Sequence, residues 1–459
     1  MKKIGTLIGA LLLCVCFLFA GCGTKLEMPT GEVKSNGGNT VIVGDYVYFA
    51  NTYVSSSSLT TGANDEGKVG NNAIYRIKTD SDGKPVIDEN ETTIIEKVVS
   101  KIGGFETSNM FAKGSYLYFT SPNAHKSSKQ DEQGKDRFDL TTLFRCKLDG
   151  TGLSEIMTTQ TTAGKFYLAK QGEKDVLFVF DDNKIQSIEI ADKLGRKQVL
   201  VEDVADVVFP QDFGATLTEL FYTAELTEED GTNEGVTGNK LYRYNIAENE
   251  SKLIRQKSAE KITLVAYDTN RLYYTRTTGS IVAYFSNSLK GNFEVDEVQH
   301  TYVDSADITE FYAFGTDEEG NLLPVIYVYK SKLLIQPYGQ EYQVMADVEA
   351  TVEFISGEYV YYTTSEGIFR KSYFNPTADA VQITDKTNIQ AGTADFDGRF
   401  IYFYAQTESD MNSTDNYYLY RANTKSAELG RMKTECIADV VPEDLEENET
   451  EESGDEFIS

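Results

Sequence analysis

Side chains able to carry out chemistry are sparse and scattered in this sequence. The two histidines, His125 and His300, lie far apart among 459 residues. Neither a zinc site nor a Ser-His-Asp constellation therefore has a pair to build on, and both rings are expected at the surface. Acids are abundant, with 72 Asp and Glu. Paired carboxylates are what glycoside chemistry requires, yet no spacing singles out one pair. Asp80, Asp82, Gly83 and Glu89 occupy the third, fifth, sixth and twelfth places of a calcium-binding loop. Lys78 stands at the first place, where a carboxylate is required, so a solvated turn is expected. Asp181 with Asp182 and Asn183, Asp317 with Gly320 and Asn321, and Asp397 with Gly398 are turn formers. No catalytic residue, metal ligand or cofactor is assigned on these grounds, and the ligand-binding residues stay unknown.

The cysteines support one sharper assignment. Lys2 and Lys3 precede an apolar run over residues 4–19, followed by Ala20, Gly21 and Cys22. This is the charged, apolar and small-residue order of a secretory signal, and the run is short for a membrane span. The segment FAGC resembles the bacterial lipoprotein lipobox, with Phe19 where Leu is usual and the small pair intact. The resemblance implies that Cys22 is diacylated and becomes the mature N-terminus, and two acyl chains suffice for stable anchoring. We therefore expect a signal peptide over 1–21, a flexible tether over 22–38 carrying Pro29, Gly31, Gly37 and Gly38, and a lipid-anchored position on the extracytoplasmic face of the cell membrane. Cys14 and Cys16 leave with the signal. Cys146 in FRCKL and Cys436 in ECIADV read as small buried hydrophobes in strands, in units too distant for a disulfide, which needs Cα atoms within about 7 Å.

The rest of the chain must position whatever binds, and it is repetitive. The stretch from Gly357 to Phe374 reads GEYVYYTTSEGIFRKSYF, two strand-forming runs around a tight turn carrying Ser365, Glu366 and Gly367. Its leading run recurs eight times, from YVYFAN at Tyr46 through YLYFTS, VLFVFD, LFYTAE, LYYTRT, VIYVYK and YVYYTT to FIYFYA at Phe400. Seven steps separate the first start from the last, a mean of about 51 residues, in the range of propeller blades. Each hairpin is preceded by a run such as TVIVG from Thr40 or VEFISG from Val352, and followed by one such as QVLVEDV from Gln198. The units are thus four-stranded antiparallel sheets, and the expected fold is an all-β propeller of eight blades over 39–441. Units three and six match least well, which leaves seven blades as the alternative. Nine acids crowd residues 443–456, so 442–459 is expected to be an acidic disordered tail.

The segments LYYTRT, VYYTTSEG, LFYTAEL and YLYFTS resemble the YWTD repeat of low-density-lipoprotein-receptor-type propellers, with Tyr or Phe in place of Trp. They are still more similar to propeller lipoproteins of Gram-positive bacteria, a family of unknown function whose units read G-x-x-I-Y-Y-x-N followed by I-Y-R-I. The complete absence of Trp speaks against sialidase, kelch, quinone-enzyme and WD-type repeats, whose patterns contain it.

A formal charge of -29 repels phosphate backbones, so nucleic acid is excluded as a partner, while a cationic partner would be attracted. In a propeller, second-to-third strand connections share one face with the connections between blades. Four of them are long here: Thr52 to Asn72, Pro122 to Thr142, Leu226 to Asn239 and Gln406 to Asn416. Long loops on a rigid scaffold are where recognition concentrates. A monomeric, non-catalytic module binding a protein, peptide or glycan on that face is expected, with exposed aromatics such as Tyr53 and Phe138. The alternative is an envelope glycan hydrolase or lyase, whose mark would be converging carboxylates of shifted pKa at the central channel mouth.

Overall fold

The computed structural model describes residues 25–50, 74–99, 110–122 and 141–438, except 162–163, 192, 211–215, 228–229, 231–237, 258, 269, 291–292, 294–295, 302, 304, 314, 318–320, 407–416, 429 and 431. Eight antiparallel sheets follow one another along the chain, each with its strands in sequence order, and they are the blades of a β-propeller. The blades cover 33–99, 111–158, 165–201, 206–256, 261–299, 308–346, 351–384 and 395–438. The eight-blade reading holds over the seven-blade alternative. The third and sixth units, weakest in sequence, are complete sheets, Lys165–Gln171 to Gln198–Val201 and Ile308–Tyr312 to Gln343–Ala346. Helix among the described residues is confined to short pieces such as Thr424–Glu428, and none is long and apolar enough to cross a membrane. By packing, the chain divides into two compact units. One holds 1–157, 406–420 and 436–459, and the other 158–405 and 421–435.

The aromatic hairpin forms as its residues dictate. Tyr359–Thr364 pairs with Gly367–Ser372 from Tyr359↔Ser372 to Thr364↔Gly367, leaving a two-residue turn. Val360, Tyr361 and Tyr362 are all buried, because both faces of an inner strand are covered and no polar alternation is needed. Gly367 has φ +126°, and a Cβ there would stand 2.0 Å from the Thr384 carbonyl oxygen on the fourth strand. In blade three the corresponding turn uses Asp182 and Asn183, both at positive φ, the backbone that matches strand twist in a two-residue hairpin. Outer strands expose Val199, Leu253 and Val344, as edges lacking a fifth strand do.

The expected tether over 22–38 is folded from Lys25 onward. Val33–Ser35 forms an additional strand paired antiparallel to Thr40–Val43, so blade one has five strands. Gly37 N–H donates to the Met110 carbonyl, Met110 N–H to Gly38, and Asn36 exchanges two hydrogen bonds with Ala112, fastening blade one to blade two. Leu26 and Met28 pack on the apolar cluster of these two blades. Only three residues long, that strand has no periodicity to betray it, and its partners lie outside the segment.

Candidate functional site

The residues singled out by type are mostly absorbed by the fold. His300 is buried, not at the surface. Its Nε2 lies 2.7 Å from Ser286 Oγ, which also accepts from Arg271 Nε at 2.8 Å. Burial and the Arg271 charge push its pKa down to about 4, so the ring is neutral and structural. Asp80 spends one carboxylate oxygen on the N–H groups of Asp82 and Lys84, and Lys78 pairs with Glu27 at 3.0 Å: a turn, as expected. Asp317 caps its own turn at Asn321, and Asp397 does so at Arg399 and Phe400. Asp181 is buried and accepts from the Gln160 and Thr161 N–H groups. Cys146 is buried as expected, and burial pushes its thiol up to about 12. Cys436 is exposed, against expectation, because its neighbour Ile437 takes the inward position on the strand Thr434–Ala438. No disulfide joins the two. Cys22, Tyr53, His125, Phe138, three of the four long connections and the acidic tail lie outside the described residues.

One pair of carboxylates has the shifted pKa that marks chemistry. Glu310 and Glu353 sit on the first strands of blades six and seven, and burial raises both. Glu353 Oε1 accepts from Thr363 Oγ1 at 2.5 Å and the Gly392 N–H at 3.0 Å, and Oε2 accepts from the Ala394 N–H at 2.9 Å. Glu310 Oε2 accepts from the Val352 N–H and the Tyr312 hydroxyl, both at 3.1 Å. Glu310 therefore holds the first strand of blade seven, and Glu353 holds the backbone that leads into blade eight. An ion-pair network between blades four and five is likewise self-satisfied. Arg255 contacts Glu260 at 2.8 Å and Glu297 at 3.2 Å, and Arg276 contacts Glu297 at 2.5 Å.

A groove of about 500 Å³ between blades three and four is different. Its lining includes Asn183 from the second-to-third turn of blade three, residues 202–205 between the blades, and Tyr222, Glu225, Thr227, Lys240 and Tyr242 from blade four. The Val204 N–H donates to the Asn183 carbonyl at 2.8 Å. Turn and inter-blade connection thus share one end, as propeller geometry requires, and the groove lies at the root of the long connection after Leu226. Tyr222 and Tyr242 stack with centroids 5.0 Å apart. Lys240 is neutralised by Asp230 at 2.9 Å. The Thr227 N–H and hydroxyl and the Lys240 ammonium hold that carboxylate down to about 2. Glu202, Asp203 and Glu225 are exposed and have no ion-pair partner among the described residues. This end of the unit therefore presents uncompensated negative charge over an aromatic floor. No sequence signal identified it, because its residues come from three separate segments.

No protein-family model and no curated protein sequence matches the chain. Solved structures do. A Mycobacterium tuberculosis puromycin-hydrolysing peptidase aligns at 10% identity over 72% of this chain and 52% of its own, with a TM-score of 0.44. A prolyl endopeptidase aligns at 10% identity over 92% and 60%, with a TM-score of 0.43. An oligogalacturonate lyase from Vibrio parahaemolyticus aligns at 9% over 68% and 96%, with a TM-score of 0.38. The chain spans a little over half the length of the two peptidases.

Proposed function

We propose that this protein is a non-catalytic propeller binding module, held at the extracytoplasmic face of the cell membrane by lipid on Cys22. On this reading it takes a cationic protein or peptide segment in the groove between blades three and four. The supporting observation is the groove's charge. Glu202, Asp203 and Glu225 line it without counterions, while its lysine is already paired with Asp230. A Lys or Arg side chain can lay its alkyl stem along Tyr242 and set its charge among the carboxylates. Calorimetric titration with an alternating Lys-Ala decapeptide should give saturable binding that weakens as salt rises, and the Glu-Ala counterpart should give none. The triple variant E202Q/D203N/E225Q should bind at least tenfold more weakly. Equal binding by wild type and triple variant would remove the groove from consideration.

A further inference from the structure

The geometry points to a lipid-facing surface: the end of blades one and two that carries their first-to-second and third-to-fourth turns lies against the membrane, and the opposite end, where Ala50 pairs with Ile74 in blade one, faces away from it. This deepens the reading above and rests on lipid at Cys22. At the sheet of blade one the two ends are distinguished by register. Tyr46↔Lys78 lies at one end and Ala50↔Ile74 at the other, where the long connection begins.

Residues 26–35 enter at the first of these ends. The Leu26 N–H donates to the Asp149 carbonyl in the third-to-fourth turn of blade two, at 3.1 Å. Glu27 joins Tyr46 at 2.6 Å and Lys78 at 3.0 Å through its carboxylate, and its carbonyl accepts from the buried Arg76 at 2.7 Å. Thr30 and Gly31 lie on the first-to-second turn so closely that a Cβ on Gly44 would stand 2.1 Å from the Thr30 carbonyl oxygen. The Gly44 N–H donates to Glu32 at 2.9 Å. The segment is thus docked from Leu26, and whatever path the three intervening residues take, the four residue steps from Cys22 to Leu26 reach at most about 14 Å, too little to carry the chain around to the other end of a blade. The third-to-fourth connection of blade one leaves from the same end and exposes Ile87 and Ile94, 52% and 43%, beside the exposed acids Asp80, Asp82, Asp88, Glu89 and Glu91, so the anchor and not surface charge holds this end to lipid.

The test uses full-length lipidated protein extracted from its membrane and returned to phosphatidylcholine–phosphatidylglycerol vesicles containing a headgroup-labelled acceptor lipid. In a Cys436→Ser background, where Cys146 is buried, a donor dye is placed by Ser81→Cys in the third-to-fourth connection, or by Ser57→Cys in the second-to-third connection. Energy transfer should be severalfold greater from position 81 than from position 57. Protein that floats with the vesicles while position 57 transfers as well as or better than position 81 overturns the orientation alone. Wild-type protein that fails to float, as Cys22→Ser is expected to, overturns the anchor and the orientation with it.

Discussion

Buried polar residues in this protein hold blades together, and their substitution should register as stability. Glu353 accepts three hydrogen bonds, and Gln in its place would turn an NH2 group toward the Ala394 N–H or the Thr363 and Gly392 donors. Leaving such a donor unsatisfied costs about 1–3 kcal/mol, so E353Q should unfold at lower urea with an unchanged m-value. His300 makes a signed prediction. Its folded pKa is about 4, below the ordinary 6.5, so between those values the unfolded chain holds the extra proton. Stability from the neutral ring is complete above pH 6.5 and is lost as pH falls to 4, about 3 kcal/mol in all. The difference in unfolding free energy between wild type and H300Q should drift by that amount over this window, and a constant difference would contradict the burial of the ring. Thiol labelling separates the cysteines of the folded body: Cys436 should react within minutes in the native state, and Cys146 only on unfolding. The alternation around Cys146 was legible as a buried strand. Cys436 was not, because one residue of register reverses which neighbour faces inward.

Among the elements, the hairpins were the most legible, since aromatic runs flanking a two-residue turn allow few alternatives. Gly367 shows why the turn residues matter. G367A would force a methyl group against the Thr384 carbonyl at a φ that side chains avoid. The expected cost is about 2–4 kcal/mol, measurable by thermal unfolding, while an Ala at Gly357, where a Cβ meets nothing within 4 Å, should bear only the smaller penalty of positive φ. The strand Val33–Ser35 was invisible in the sequence for the converse reason: three residues define no period, and the pairing that makes them a strand comes from Ile42 and Val43.

For the whole molecule, the net charge and the groove lead to one expectation, that binding of a basic peptide is electrostatic and fades with ionic strength, whereas a neutral glycan ligand would be insensitive to salt. Repetition made the architecture readable. Eight near-copies of one aromatic hairpin can each bury their faces only against another copy, so blade number and strand order followed from counting periods. Which acids face one another did not follow. Glu225 shares a hairpin with Lys240 and Tyr242, but Glu202 and Asp203 reach the same groove only because blades three and four pack side by side, and Glu310 and Glu353 are latches only because backbone N–H groups of blade seven and of the approach to blade eight arrive within hydrogen-bonding distance. Local sequence sets the hydrophobic pattern and turn chemistry of each strand. Desolvation, counterion pairing and the docking of residues 25–38 are properties of surfaces brought together from distant parts of the chain, and packing alone decides them.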